Sequence, residues 1–96
     1  MGEAYAREQV RRAVRGPADA IIPVLPNKQV AIAVAEALLF PLYGQRTIVN
    51  ERPYEVYRSD GCWYLSGTLP VGYDGGTFEI VLKAADGQVL HLTHGK

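Results

Sequence analysis

The amino-acid sequence predicts an α+β domain, with N-terminal helices packed on a curved antiparallel sheet of about four to five strands. Hydrophobic residues recur at helical spacing before Gly44 and alternate with polar residues after it. Two Asp-Gly pairs, at 60–61 and 86–87, separate alternating runs and are typical of β-hairpin turns. A chain of 96 residues suits one domain. Its predicted parts are a first helix over 1–16, a central buried helix over 27–43 and a sheet over 47–95.

The two predicted helices differ in character. Residues Glu3 to Arg15 are acidic at the start and basic at the end, with a thin apolar stripe, so we expect this helix on the surface. Asn27 is expected to cap the second helix and Gly44 to end it. Glu36 is the one charged residue in the apolar part of this helix. A helix that is apolar nearly all round is expected to be the buried centre of the fold.

The second half of the chain is expected to form strands and hairpins. The segment "TIVN", residues 47–50, is predicted to be a short strand, and a two-residue turn at 60–61 pairs Val56 with Leu65 and Tyr57 with Tyr64. The face packed on the central helix then carries Tyr54, Val56, Trp63, Leu65, Phe78, Ile80, Leu82, Leu90 and Leu92. The other face is semi-polar and carries Glu55, Tyr57, Cys62, Tyr64, Ser66, Glu79, Val81, Lys83, His91 and Thr93.

Composition and charge exclude several classes of function. Ten basic and ten acidic residues give zero net charge, and no basic stripe is interleaved with aromatics, so no nucleic-acid partner is expected. The apolar run of the second helix is shorter than the roughly 20 residues that span a membrane. The first residues lack the apolar segment of a secretory signal, so we expect a cytoplasmic protein. Cys62 is alone, which excludes an intrachain disulfide and a cysteine zinc cluster.

The residues that suggest chemistry have structural interpretations. The loop "GYDGG", residues 72–76, matches no phosphate-binding pattern and precedes a strand rather than a helix, so it is predicted to be a bend. His91 and His94 are three residues apart in a strand and point to opposite faces. They are therefore expected to be surface or hairpin-pairing residues rather than metal ligands. Neither a metal nor a cofactor is expected.

A set of motifs resembles a known family. They are "VLPNKQVAIAVAEALLFPLYG", "RPYEVY", "GCWYLSGTLP", the pair Gly75-Gly76 and "DGQVLHLTHGK", and they cover residues 23–96. In this order and spacing they resemble the immunity proteins of bacterial polymorphic toxin systems with a nuclear transport factor 2-like fold. The resemblance implies a small nuclear transport factor 2-like cone that binds and neutralises a cognate toxin. It implies no catalytic residues, so the protein is not expected to be an enzyme.

The partner-binding residues follow from this role and from the alternation of the strands. We expect the semi-polar face to cover the toxin's active site, because tyrosine is enriched at interfaces. The candidates are Glu55, Tyr57, Tyr64 and Ser66, with Tyr73 and Asp74 in the adjoining loop.

Two alternatives remain open. In one, the protein binds a small ligand or is an enzyme with a cavity between the central helix and the sheet, where Glu36 with a raised pKa is a general base. Otherwise Glu36 is expected to reach solvent or to pair with Arg46 or Arg52. In the second alternative, the tyrosine face forms a homodimer, which is compatible with either function.

Overall fold

A computed structural model describes residues 2–15, 23–69 and 75–95. In this part of the chain, three helices precede a sheet of four antiparallel strands in the order β1-β2-β3-β4, which confirms the α+β class. The elements are α1 (Glu3–Arg15), α2 (Lys28–Tyr43), α3 (Gln45–Val49), β1 (Glu55–Ser59), β2 (Cys62–Ser66), β3 (Phe78–Lys83) and β4 (Val89–His94).

The ends of α2 are those that the sequence predicts. Asn27 caps the helix, since its side-chain oxygen accepts a hydrogen bond of 2.9 Å from the backbone N–H of Val30. At the other end Gly44 adopts a φ of +93° and donates its N–H to the carbonyl of Phe40 at 2.8 Å. Pro41 lies inside the last turn, where the helix continues to Tyr43.

The expectation that α2 is the buried centre of the fold is correct for one side of the helix only. One stripe, Ala31, Ala35 and Leu39, is fully buried, whereas Leu38 and Leu42 on another side are 37% and 60% exposed. The reason is that the sheet covers one side of the helix only. Among the described residues, no helix is long and apolar enough to cross a bilayer.

The predicted strand at 47–50 is also wrong, because residues 45–49 form α3. Ile48 is completely buried in the core, and its N–H bonds to the carbonyl of Gly44 at 3.2 Å. A single helical turn directly after α2 brings Ile48 inward. This packing outweighs the weak strand preference of the β-branched residues in "TIVN".

The first hairpin confirms the predicted register. Val56 pairs with Leu65 and Tyr57 with Tyr64. Asp60 and Gly61 adopt φ values of +50° and +74°, as a two-residue turn with two left-handed central positions requires.

The second hairpin departs from the prediction near its turn. Val81 pairs with His91 but Leu82 pairs with Val89, so Leu90 is the extra residue of a β-bulge. Leu90 is 51% exposed, and its predicted place on the apolar face is wrong. Beyond the bulge, Leu92 lies opposite Ile80 as expected.

The core lies between α2 and one face of the sheet. Besides the α2 stripe and Ile48, it contains Leu25, Trp63, Leu65, Phe78, Ile80, Leu82 and Ala84. Trp63 donates its indole N–H to the carbonyl of Leu25 at 2.9 Å, which fastens the segment before α2 to the sheet. The described side chains of α1, up to Arg12, are exposed except for the half-buried Glu8, as expected for a surface helix.

The cap of α2 gives a test of this fold. Replacing Asn27 by Ala is expected to lower the free energy of unfolding by about 1 kcal/mol, because the N–H of Val30 loses its acceptor. Urea denaturation measures the change. The matched control is Gln29→Ala, at an exposed position of the same turn. Equal stability of Asn27→Ala and wild type would contradict the role of the cap.

Candidate functional site

The sheet face that points away from α2 is called the open face here. Its residues are those of the predicted semi-polar face: Glu55, Tyr57, Cys62, Tyr64, Ser66, Glu79, Val81, Lys83, His91 and Thr93. The strand register arranges them in rows across the sheet. One row runs Glu55, Ser66, Glu79 and Thr93, and the next runs Tyr57, Tyr64, Val81 and His91.

Two tyrosines of the open face hold carboxylates. Tyr57 donates its hydroxyl to Glu55 at 2.9 Å, and Tyr64 donates to Glu79 at 2.7 Å. Each hydrogen bond raises the pKa of its tyrosine, so both hydroxyls stay protonated at neutral pH. The two rings lie 6.3 Å apart, and Tyr57 is 57% exposed. The result is an ordered aromatic surface edged by carboxylates.

His91 adds a contact at the other side of Glu79. Its Nε2 lies 3.3 Å from Oε1 of Glu79, and both side chains are nearly half exposed. The hydrogen bond from Tyr64 lowers the pKa of Glu79 most, and the hydrogen bond from His91 lowers it further. Glu79 is therefore an ionised, solvent-accessible acceptor at neutral pH.

The open face contains four of the six predicted site residues. Glu55, Tyr57, Tyr64 and Ser66 lie on adjacent strands of this face, with Tyr64 and Ser66 half-buried. The other two predicted site residues, Tyr73 and Asp74, lie outside the described residues. Glu79 and His91 lie on the same face and are not among the predicted site residues, although the alternation of their strands places them there.

Glu36 forms an ion pair rather than a free carboxylate. Its Oε2 accepts from Arg52 at 2.6 Å and from the Tyr54 hydroxyl, which confirms the predicted pairing with Arg52. Burial alone would raise the pKa of Glu36, but the hydrogen bonds from Tyr54 and Arg52 outweigh it and lower the pKa. Burial is the main cause, and the hydrogen bond to Glu36 the second, of a rise in the pKa of Tyr54 to about 12. The expected raised pKa of Glu36 is therefore wrong, and the general-base hypothesis loses its basis.

Glu51, which is buried, and His94, which is part-buried, form a pair that the sequence does not predict. Glu51 is 5% exposed; its Oε1 accepts the N–H of Phe78 at 2.9 Å, and its Oε2 lies 2.8 Å from Nε2 of His94. Gly67 packs so closely that a Cβ there would lie 2.4 Å from Oε1 of Glu51. The carboxylate thus joins the segment after α3 to the adjoining ends of β2, β3 and β4.

His94 pairs with Phe78 in the second hairpin, as one of its two predicted positions requires, but its side chain lies on the face toward α2 and is only 16% exposed. Its ring packs on that of Tyr43, with 4.9 Å between the ring centroids, and its Nδ1 lies 2.5 Å from the carbonyl oxygen of Gly95. Burial lowers the pKa of His94, but the hydrogen bonds to Glu51 and Gly95 outweigh it, and the pKa is raised. Because both ring nitrogens face acceptors, the imidazolium is a structural link between β4 and the segment after α3.

Comparisons with known proteins identify one family. A family model described as NTF2 fold immunity protein matches residues 30–96. Two proteins of Escherichia coli strain K12 are similar to this chain. YhhH is 34% identical over 76% of this chain and 58% of its own length, and YbbC is 34% identical over 73% and 58%. Both carry names that state no function, and the chain spans a little over half the length of each. No solved structure matches the chain significantly.

The part-buried His94 predicts a pH dependence of stability. The pKa of His94 in the folded protein lies above its ordinary value of 6.5. The pair of His94 and Glu51 therefore contributes its full stabilisation of the folded protein below pH 6.5. The stabilisation is lost as the pH rises through the raised pKa. Urea denaturation at a series of pH values is expected to show that His94→Gln costs most in mildly acidic solution and less in alkaline solution.

The exposed His91 supplies the control for this measurement. His91→Gln is expected to change stability less than His94→Gln, since its side chain is 47% exposed. A destabilisation by His94→Gln that is the same at every pH would contradict the charged pair.

Proposed function

Because the chain belongs to the NTF2 fold immunity proteins, we propose that it binds and neutralises a cognate bacterial toxin without catalysing a reaction. The toxin is a component of a polymorphic toxin system, and the two proteins meet in the cytoplasm. The bound immunity protein covers the toxin's active site and so protects the cell that makes it.

The open face is the proposed contact surface. The observation that carries this choice is the pair of ordered tyrosines, Tyr57 and Tyr64, held by carboxylates on a sheet face that α2 does not cover. Tyrosine buries a large area at a small cost in conformational entropy, and these hydrogen bonds fix the rings before binding. Glu55 and Ser66 complete the contact beside them, and we keep Tyr73 and Asp74 as proposed contacts in the adjoining loop.

Hydrogen bonds within the protein already hold the other candidate catalytic side chains, which supports inhibition by binding rather than catalysis. Glu36 is held by Arg52 and Tyr54, and Glu51 is held by Phe78 and His94. A general base needs a lone pair directed at its substrate and a pKa near the working pH. The lowered pKa of Glu36 and the engaged ring nitrogens of His94 do not meet these requirements.

The two tyrosines test this proposal. Tyr57→Ala combined with Tyr64→Ala is expected to weaken toxin binding by several kcal/mol, because anchor residues of an interface cost about 2 kcal/mol or more each. Calorimetric titration against the catalytically inactivated product of the gene immediately upstream measures the dissociation constant. Growth rescue on co-expression with the active toxin is expected to fail for the double variant.

Tyr5→Ala is the matched control, because Tyr5 on α1 has the same exposed fraction, 57%, as Tyr57. It is expected to bind and rescue like wild type. An unchanged dissociation constant for a folded Tyr57→Ala, Tyr64→Ala variant would rule out the open face as the contact surface.

A further inference from the structure

We propose that the toxin presents a cationic surface to the open face and that an arginine side chain lies between Glu55 and Glu79. This inference rests on the proposed function and specifies the chemistry of the partner.

Apart from Glu3 and Glu8 on α1, which pair with Arg7 and Arg11, the glutamates of the described chain fall into two groups. Glu36 and Glu51 are paired with the charged or chargeable side chains Arg52 and His94. Glu55 and Glu79 instead accept hydrogen bonds from tyrosine hydroxyls, which carry no charge, and Glu79 also lies 3.3 Å from the half-exposed ring of His91. No arginine or lysine of residues 2–12, 23–69 and 75–95 forms an ion pair with either. Their negative charge is therefore held in place but not neutralised by these residues.

The described cations lie mostly away from the open face. Lys28 begins α2, and Arg46 and Arg52 are on the helical side. On α1, Arg7 and Arg11 pair with Glu3 and Glu8 of the same helix. Arg58 lies over the ring of Trp63, 5.2 Å from its centroid, on the face toward α2. On the open face, Lys83 pairs with Cys62 at the end remote from Glu55. The chain has zero net charge, so a local negative potential on this face arises from segregation of charges.

The space between the two carboxylates fits a guanidinium group. Glu55 lies opposite Ser66, and Ser66 lies opposite Glu79. Since neighbouring strands are about 4.8 Å apart, the two glutamates stand about 10 Å apart with only the short serine between them. The rings of Tyr57 and Tyr64 form the adjacent row.

Arginine matches this surface better than lysine. Its planar guanidinium hydrogen-bonds with carboxylates through several N–H groups and packs on tyrosine rings. The tyrosine hydroxyls use one oxygen each of Glu55 and Glu79, and His91 lies 3.3 Å from the other oxygen of Glu79. An ionised carboxylate has about four lone-pair sites, so acceptor positions remain for an incoming donor.

The test replaces both carboxylates without changing their shape. Glu55→Gln combined with Glu79→Gln keeps an oxygen that can accept from each tyrosine but removes both negative charges. With the inactivated product of the upstream gene as probe, we expect binding about tenfold or more weaker at low salt, since electrostatic attraction is strongest there. We also expect the dissociation constant to rise with NaCl for the wild type, and to rise much less for the double variant.

The control has the same change in net charge. Glu3→Gln combined with Glu8→Gln on α1 is expected to bind like wild type, with the wild-type salt dependence. Equal weakening by the α1 pair would overturn the inference, because net charge alone would then explain the effect.

The remaining outcomes separate this inference from the proposed function. If the glutamine pair binds with the wild-type affinity and salt dependence while the tyrosine pair fails to bind, the inference is wrong and the proposed contact surface stands. If neither the glutamine pair nor the tyrosine pair of substitutions changes toxin binding, this inference and the proposed contact surface are both wrong. A homodimer that buries this face and excludes the toxin, detected by light scattering on a size-exclusion column, would also overturn the inference.

Discussion

A four-stranded sheet covered by helices on one side has one buried face, and the rest of this structure depends on that constraint. The stripe of Ala31, Ala35 and Leu39 lies against the sheet, and alternate strand residues such as Leu65 and Ile80 complete the core. Because the side chains of a strand alternate, every buried position fixes a neighbour on the opposite face. Burial of Trp63 and Leu65 therefore directs Tyr64 and Ser66 to the open face.

Charged groups follow the same division. On the side of α2, carboxylates occur where cations or backbone donors compensate them, as at Glu36 with Arg52 and at Glu51 with His94 and the N–H of Phe78. Glu51 is buried, so removing one of its partners is costly, and this carboxylate fastens the fold. On the open face Glu55 and Glu79 remain hydrated and are oriented by tyrosines. Their charge is available to a partner protein.

Local signals predict much of this arrangement, and long-range packing explains what they miss. The cap at Asn27, the end at Gly44 and the Asp60-Gly61 turn involve neighbouring residues, and all are confirmed. Four of the proposed contact residues share a face because this turn fixes the register of β1 and β2. By contrast, Ile48 is helical because it packs in the core, which the β-branched run "TIVN" does not reveal.

The other misses have similar causes. The bulge at Leu90 depends on how the four residues after Lys83 close the second hairpin, through bonds from Gly87 to Lys83 and from Lys83 to Gln88. The pair of Glu51 and His94 joins residues 43 positions apart, and no local pattern reports such a contact. Both departures involve contacts that form only when the sheet is assembled.

Site-specific photo-crosslinking tests the central claim, that the face left open by α2 is the one that contacts the toxin. A photoreactive amino acid at position 57 is compared with one at position 42, since Tyr57 and Leu42 are 57% and 60% exposed on opposite layers of the domain. The account predicts a covalent adduct with the inactivated toxin from position 57 and none from position 42. An adduct from position 42 alone would contradict it and assign the contact to the outer side of α2.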